Sequence, residues 1–195
     1  PRKTMARLLL LSSILSLCTC DIFVSPQGND MTGKGSPSHP FQSLFRAFNS
    51  SRIAPLTIRM LPGRYGSFND HALDIPGNTT LIGEPGVVVD LSRVGSPFLT
   101  ISSAAVTISS ITIENGWGKK SAILVQAPAV LTNLKFQNCT GPQGAAVYVQ
   151  ANAKWGHLVP RISQSVFIAN SAANGGGALF VTSQAIIEHC DFIGN

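Results

Sequence analysis

A repeat of about 25 residues is the feature that most constrains what this chain can fold into. Four large apolar residues recur with this period, apart from one longer interval, and each has an aliphatic residue five positions before it and an asparagine two or three positions after it. The apolar residues are Ile113, Phe136, Phe167 and Phe192, the aliphatic ones are Ile108, Leu131, Ile162 and Ile187, and the asparagines are Asn115, Asn138, Asn170 and Asn195. One unit of this length cannot bury its own apolar side chains, but stacked units can. The repeat therefore predicts a solenoid.

The strand pattern within each unit decides which solenoid is expected. A second short run of alternating aliphatic residues precedes each repeat, with the pairs Leu99/Ile101, Ile123/Val125, Val147/Val149 and Leu179/Val181. Alternation is typical of strands that bury every second side chain, and no helical segment recurs. The prediction is an all-β right-handed parallel β-helix over residues 70–195. The large apolar residues of successive units should stack in one inward-facing column and the aliphatic residues in a second. The longer interval between Phe136 and Phe167 is explained by an insertion within residues 151–160.

Residues 21–69 form a different module at the entrance to the repeats. Residues 21–24 read as a strand, and a Gly/Ser/Pro-rich loop follows up to Pro40. Phe41, Leu44, Phe45 and Phe48 then recur at helical spacing, so a short amphipathic helix is expected there. We predict that this helix caps the open first coil.

Residues 1–20 have the composition of a secretory signal peptide. A basic start is followed by a largely apolar stretch of ten residues, 8–17, and by small residues that favour cleavage before Asp21. The apolar run is shorter than the roughly 20 residues that a membrane span requires. This predicts a secreted or cell-surface protein without a transmembrane span. The repeat also stops at Asn195 without a polar cap, which predicts further coils beyond it.

Charge argues against a nucleic-acid partner. The formal net charge is +5, but it falls to +2 without the predicted signal peptide, and the remaining basic residues are scattered except for Lys119 and Lys120. Cell-surface glycans or proteins are the expected partners.

The asparagines and cysteines have structural interpretations. Asn115, Asn138, Asn170 and Asn195 are expected to form one ladder of amide hydrogen bonds from coil to coil, at turns where asparagine tolerates a left-handed backbone. Cys139 and Cys190 fall two coils apart, roughly 9.6 Å along the stack, which is too far for a disulfide. Both are expected to be free thiols, with Cys190 a buried apolar filler.

Two groups of motifs carry a family resemblance. Phe167-Ile-Ala-Asn170, Phe192-Ile-Gly-Asn195 and Gly176-Gly-Ala-Leu179 resemble the FxxN and GGA motifs of polymorphic outer-membrane protein repeats. Val24-Ser-Pro-Gln-Gly-Asn-Asp30 and Leu61-Pro-Gly-Arg-Tyr65 resemble the start of pectin-lyase-like β-helix proteins. The first resemblance implies a surface protein such as an adhesin. The second implies a fold shared with polysaccharide lyases and hydrolases.

Catalytic chemistry is only weakly indicated. Asp90 and Glu114 are separated by one repeat and could be neighbours on successive coils, where they would hold Ca²⁺ in a lyase or form the carboxylate pair of a glycoside hydrolase. No catalytic residue is assigned, and no cofactor is expected unless the protein is a Ca²⁺-dependent lyase.

Trp155 and His157 lie in the predicted insertion and are candidate residues for a carbohydrate-binding module. The leading interpretation is a noncatalytic extracellular or cell-surface scaffold, adhesive in function. A lyase or hydrolase and a carbohydrate-binding module are the alternatives.

Overall fold

Three parallel β-sheets form the faces of a β-helix in the computed structural model, which describes residues 21–50, 55–95, 97–150 and 155–195. The first sheet contains β1 (Ile22–Val24), β2 (Leu56–Met60), β5 (Thr79–Gly83), β8 (Val106–Ser109), β11 (Ala129–Thr132), β15 (Arg161–Ser163) and β19 (Ile186–Glu188). The second contains β3 (Gly63–Tyr65), β6 (Val87–Asp90), β9 (Thr112–Glu114), β12 (Lys135–Gln137), β16 (Val166–Ile168) and β20 (Asp191–Ile193). The third contains β4 (Leu73–Asp74), β7 (Leu99–Ile101), β10 (Ile123–Val125), β14 (Val147–Val149) and β18 (Leu179–Val181).

The chain visits the three sheets in turn and starts each new coil beside the previous one. A short strand pair, β13 (Thr140–Gly141) with β17 (Ser171–Ala172), lies between the second and third sheets. There is one α-helix among the described residues, α1 (Leu44–Ser50), and a short 3-10 turn lies at Phe68–Asp70. The predicted fold class, a parallel β-helix with a short N-terminal helix, is confirmed. The predicted signal peptide and residues 151–154 of the predicted insertion lie outside the described residues.

The strand register confirms both predicted columns. Leu131 pairs with Ile108 and Ile162, and Ile162 pairs with Ile187. Phe136 likewise pairs with Ile113 and Phe167, and Phe167 with Phe192. The two columns are fully buried in the inner coils, but Ile187 and Phe192 are 42% and 50% exposed, because no described coil covers the outer side of the last one.

The entry module is part of the β-helix rather than a separate unit before residue 70. Strands β1 and β2 belong to the first sheet and β3 to the second. Helix α1 packs Leu44, Ala47 and Phe48 into the common core, but Phe45 is 53% exposed, so its place on the apolar face was predicted wrongly. The carboxylate of Asp70 accepts a hydrogen bond from the Leu44 amide at 2.8 Å and so ties the start of the helix to the following coil.

The four asparagines do not form one ladder. Asn115 and Asn138 lie in left-handed turns, with φ of 57° and 54°, and the equivalent residues of the next coils are Ala169 and Gly194. The side chain of Asn138 is exposed. Asparagine serves there because it tolerates this backbone conformation, not because it bonds to the next coil.

The ladder itself occupies the next position along the turn. There Asn170 is buried, and its Nδ2 donates to Asn195 Oδ1 at 2.8 Å and to the Phe136 carbonyl at 3.3 Å. Its Oδ1 accepts from the Cys139 amide at 3.0 Å. Cys139 and Gly116 hold the equivalent positions in the earlier coils. The ladder therefore spans only the coils of Asn170 and Asn195 and ends at Cys139.

Cys139 and Cys190 are both free thiols, as predicted, but the expectation that Cys190 is buried was wrong. Cys139 is fully buried and Cys190 only partly buried. Burial raises the pKa of the Cys139 thiol to about 11, with a smaller contribution from the charge of Glu114.

Thiol labelling should therefore distinguish the two cysteines. In native protein starting at Asp21 we expect a thiol reagent to modify Cys190 and to spare Cys139, and to modify both after unfolding. Cys190→Ala should abolish native labelling and Cys139→Ala should leave it unchanged. Labelling by mass spectrometry at neutral pH measures this, and a Cys139–Cys190 disulfide would contradict the coil assignment.

Within the described part of the chain, no helix has the length and apolar character needed to cross a membrane.

Candidate functional site

Asp90 and Glu114 are neighbours on the outer face of the second sheet. They end β6 and β9, and the register pairs them directly. Their preceding residues, Val89 and Ile113, point into the core, so strand alternation turns both carboxylates outward. The sequence spacing predicted this adjacency correctly.

Arg64 from β3 holds the two carboxylates together. Its Nε and one terminal nitrogen donate to Asp90 Oδ2 at 3.1 and 2.9 Å, and the same terminal nitrogen donates to Glu114 Oε1. Like charges on adjacent strands repel each other, and one guanidinium that bridges both offsets this repulsion. Hydrogen bonds to Asp90 and Glu114 raise the pKa of Arg64 further above its ordinary value.

Two amide side chains complete the cluster. Asn115 Nδ2 donates to Asp90 Oδ1 at 3.0 Å and to Glu114 Oε1 at 3.3 Å, and Gln137 Nε2 donates to Glu114 Oε2 at 2.6 Å. Asn115, predicted to be a ladder residue, therefore joins the acidic pair instead. We call Arg64, Asp90, Glu114, Asn115 and Gln137 the carboxylate cluster.

Asp90 is strongly biased towards its ionised form. Partial burial opposes ionisation, but hydrogen bonds from Asn115, Ser92 and Arg64 outweigh it and lower the pKa of Asp90 to about 2. At neutral pH this carboxylate is ionised and can act as a nucleophile, but it is a weak base and not a proton donor.

The cluster does not fit a calcium site. Ca²⁺ requires six to eight oxygen ligands, whereas the oxygens of Asp90 and Glu114 already face the N–H groups of Arg64, Asn115 and Gln137. No group of three or more His, Cys, Asp or Glu side chains within the described ranges could hold a metal ion. The donor set thus argues against the Ca²⁺ role that the lyase alternative assigned to the pair.

A cleft beside the cluster is open to solvent. It has a volume of about 430 Å³ and is lined by Arg64, Asp90, Ser92 and the exposed Arg93. Trp117 is 51% exposed, and its indole nitrogen donates to the Ser92 carbonyl at 3.0 Å, so its ring is anchored beside this cleft. An exposed, anchored indole is the kind of surface on which a sugar ring can stack.

The other predicted binding residues lie elsewhere. Trp155 is partly buried and His157 is exposed, both just after residues 151–154, and neither lines the cleft at Asp90. Lys119 and Lys120 line a separate groove on the third sheet.

Arg64 and Gln137 were not predicted as site residues. A signal for both was present, since Arg64 precedes Asp90 by about one coil and Gln137 follows Glu114 by about one coil. Carrying the repeat back into the entry module would have placed β3 beside β6, with Arg64 in line with Val88, two residues before Asp90.

Two solved structures resemble this chain. A structure described as rhamnogalacturonan lyase matches with a TM-score of 0.63 at 11% identity, over 88% of this chain and 51% of the other. Pectin methylesterase PemA from Erwinia chrysanthemi matches with a TM-score of 0.52 at 18% identity, over 88% of this chain and 54% of the other. This chain thus spans about half the length of these structures. No family model matches the sequence, and neither does any curated protein.

The fold is therefore a right-handed parallel β-helix like that of these two structures, with a carboxylate cluster on its second sheet. At these identities the likeness concerns the fold. It lends no support to the resemblance with polymorphic outer-membrane protein repeats or to an adhesive scaffold.

Proposed function

We propose that this protein acts outside the cell as a hydrolase on a uronic-acid-rich polysaccharide of the pectin type, with Asp90 as the reactive carboxylate. The observation that carries the proposal is the Asp90–Glu114 pair, bridged by Arg64 on an open face beside the anchored ring of Trp117. The names of the two similar structures supply the substrate class. The extracellular location rests on the predicted signal peptide.

The closeness of the pair favours covalent chemistry. One terminal nitrogen of Arg64 donates to an oxygen of each carboxylate, so the two carboxyl groups are near neighbours. Retaining glycosidases hold their carboxyl groups roughly 5–5.5 Å apart, whereas inverting enzymes need roughly 6.5–9.5 Å to place a water molecule between them. Asp90, which is ionised at neutral pH, is therefore suited to act as the nucleophile.

Arg64 controls access to Asp90. Both oxygens of Asp90 accept hydrogen bonds, and Oδ2 accepts two from Arg64. The Arg64 side chain is 57% exposed, so a substrate carbonyl or carboxylate can draw its guanidinium away and release this oxygen. Substrate binding would then expose the reactive atom.

The hydrogen bonds that occupy both oxygens of Asp90 also favour a second candidate, a noncatalytic glycan-binding protein. If Arg64 stays bound to both carboxylates, the cluster only stabilises adjacent coils, and the exposed ring of Trp117 binds the glycan. Only the hydrolase would cleave a polysaccharide, so an activity assay separates the two candidates.

Replacing Asp90 tests the hydrolase directly. Polygalacturonate and its methyl ester are offered to the protein, and acid release, new reducing ends and unsaturated products are measured with and without a chelator. We expect acid or reducing ends that the chelator does not reduce, and a loss of about 100-fold or more in Asp90→Asn. Asp74→Asn should retain activity, because Asp74 is an exposed carboxylate of the third sheet bonded to Ser102.

The pH profile provides a second readout. Because the pKa of Asp90 in the free protein is about 2, the acid limb of kcat/KM due to Asp90 should appear near that pH and not near 4. Folded protein without any of the three products would contradict the hydrolase. A chelator-sensitive unsaturated product would instead indicate a metal-dependent lyase.

A further inference from the structure

A row of apolar and aromatic side chains lies on the outer face of the third sheet, away from the carboxylate cluster. The register aligns Leu124 of β10 with Tyr148 of β14 and Phe180 of β18. Their strand neighbours Ile123, Val125, Val147 and Val149 are fully buried, so alternation turns this row outward. The rings of Tyr148 and Phe180 are 5.3 Å apart at an angle of 58°.

Two lysines stand at the edge of this row. Lys119 and Lys120, both exposed, line a groove of about 190 Å³ together with Leu124, Tyr148 and the amide side chains of Gln143 and Gln150. No acidic residue lines the groove in the described part of the chain, and neither lysine forms an ion pair there. The groove is therefore positively charged and includes one aromatic wall.

The groove and the carboxylate cluster flank the same turn. Lys119 and Lys120 follow Trp117 in the segment between β9 and β10, which joins the second sheet to the third. A ligand on the groove and one at Asp90 would thus occupy adjacent faces of the same coils.

We propose that this groove is a second binding site, specific for an anionic oligosaccharide of uronic acids. Its sugar faces would stack on Tyr148, its carboxylates would pair with Lys119 and Lys120, and the two glutamine amides would bond to its hydroxyl groups. Rings on successive coils repeat at about 4.8 Å, so a chain lying along the axis meets an apolar wall at each coil. Only the ligand class rests on the proposed function, since the groove shares no residue with the carboxylate cluster.

Calorimetric titration of the full protein with hexagalacturonate tests the proposal. The double variant Lys119→Gln/Lys120→Gln should bind at least 10-fold more weakly, and Tyr148→Leu, which keeps an apolar side chain, should also bind more weakly. The matched control Lys34→Gln/Lys135→Gln removes the same charge from exposed lysines elsewhere and should bind like the original protein. Because screening weakens exposed charge pairs, affinity should fall as salt rises.

Binding affinity and turnover together distinguish a failure of the groove proposal from a failure of the hydrolase proposal. Asp90→Asn should keep the groove's affinity even where turnover is lost, and the groove variants should keep turnover of a short soluble substrate. Equal losses in the groove variant and the lysine control would show nonspecific charge attraction and overturn the proposal. Equal affinity for neutral cellohexaose would overturn the anionic specificity, whatever the result of the activity assays.

Discussion

Phe167→Ala should reduce the free energy of unfolding by about 3–5 kcal/mol, the range typical of a large aromatic side chain removed from a rigid core. Phe167 is fully buried, and its ring lies between those of Phe136 at 5.1 Å and Phe192 at 4.8 Å, nearly parallel to both. Its removal leaves a cavity inside the column, and the strands on both sides are held by their own hydrogen bonds and cannot collapse into it.

Phe192→Ala is the matched control. It removes the same side chain from the same column, but Phe192 is 50% exposed. The expected loss is about 1 kcal/mol, because less apolar area returns to water and no enclosed cavity forms. Urea unfolding monitored by circular dichroism measures both variants, and equal losses would contradict the enclosed position of Phe167.

Asn170→Ala should cost about 3 kcal/mol, even though it removes only a small polar side chain, because each buried polar group left without a partner costs about 1–3 kcal/mol. The buried amide of Cys139 would lose its acceptor and the Phe136 carbonyl would lose a donor. The broken ladder would also release Asn195, which is bonded to the Asn170 side chain and main chain. The same urea unfolding experiment measures this loss.

Asn138→Gly is the control for Asn170→Ala. Asn138 lies one position before the ladder column and has an exposed side chain with φ of 54°, a conformation that glycine also adopts. We expect a change within about 0.5 kcal/mol. If Asn138→Gly were as damaging as Asn170→Ala, the single ladder predicted from the spacing would be right after all.

The columns of the core could be predicted because the repeat conveys register directly. The equivalence of Leu131 with Ile162, and of Phe136 with Phe167, follows from the recurring spacing, since a coil closes after a nearly constant number of residues. The adjacency of Asp90 and Glu114 followed in the same way. Such predictions require only that stacked coils align.

The errors arose where one residue changes the direction of a side chain. Asn138 follows Phe136 by two positions and is exposed in the turn, whereas Asn170 follows Phe167 by three and points inward. The spacing of two or three was noted in the sequence, but its consequence depends on the backbone conformation of the turn. The burial of Cys139 has the same origin, because Cys139 occupies the ladder position. Cys190 is only partly buried because it lies in the last described coil, although the equivalent Leu134 and Ser165 are buried.

By itself, the sequence determined the fold class and which residues stack from coil to coil, because hydrophobic burial in a solenoid repeats with the chain. Only the tertiary structure decided how the polar side chains are used. Arg64 aligns with Val88 and not with Asp90, yet its long side chain crosses the rows to reach carboxylates of two successive coils. Such bonds depend on side-chain reach and direction in three dimensions, which a one-dimensional repeat does not specify.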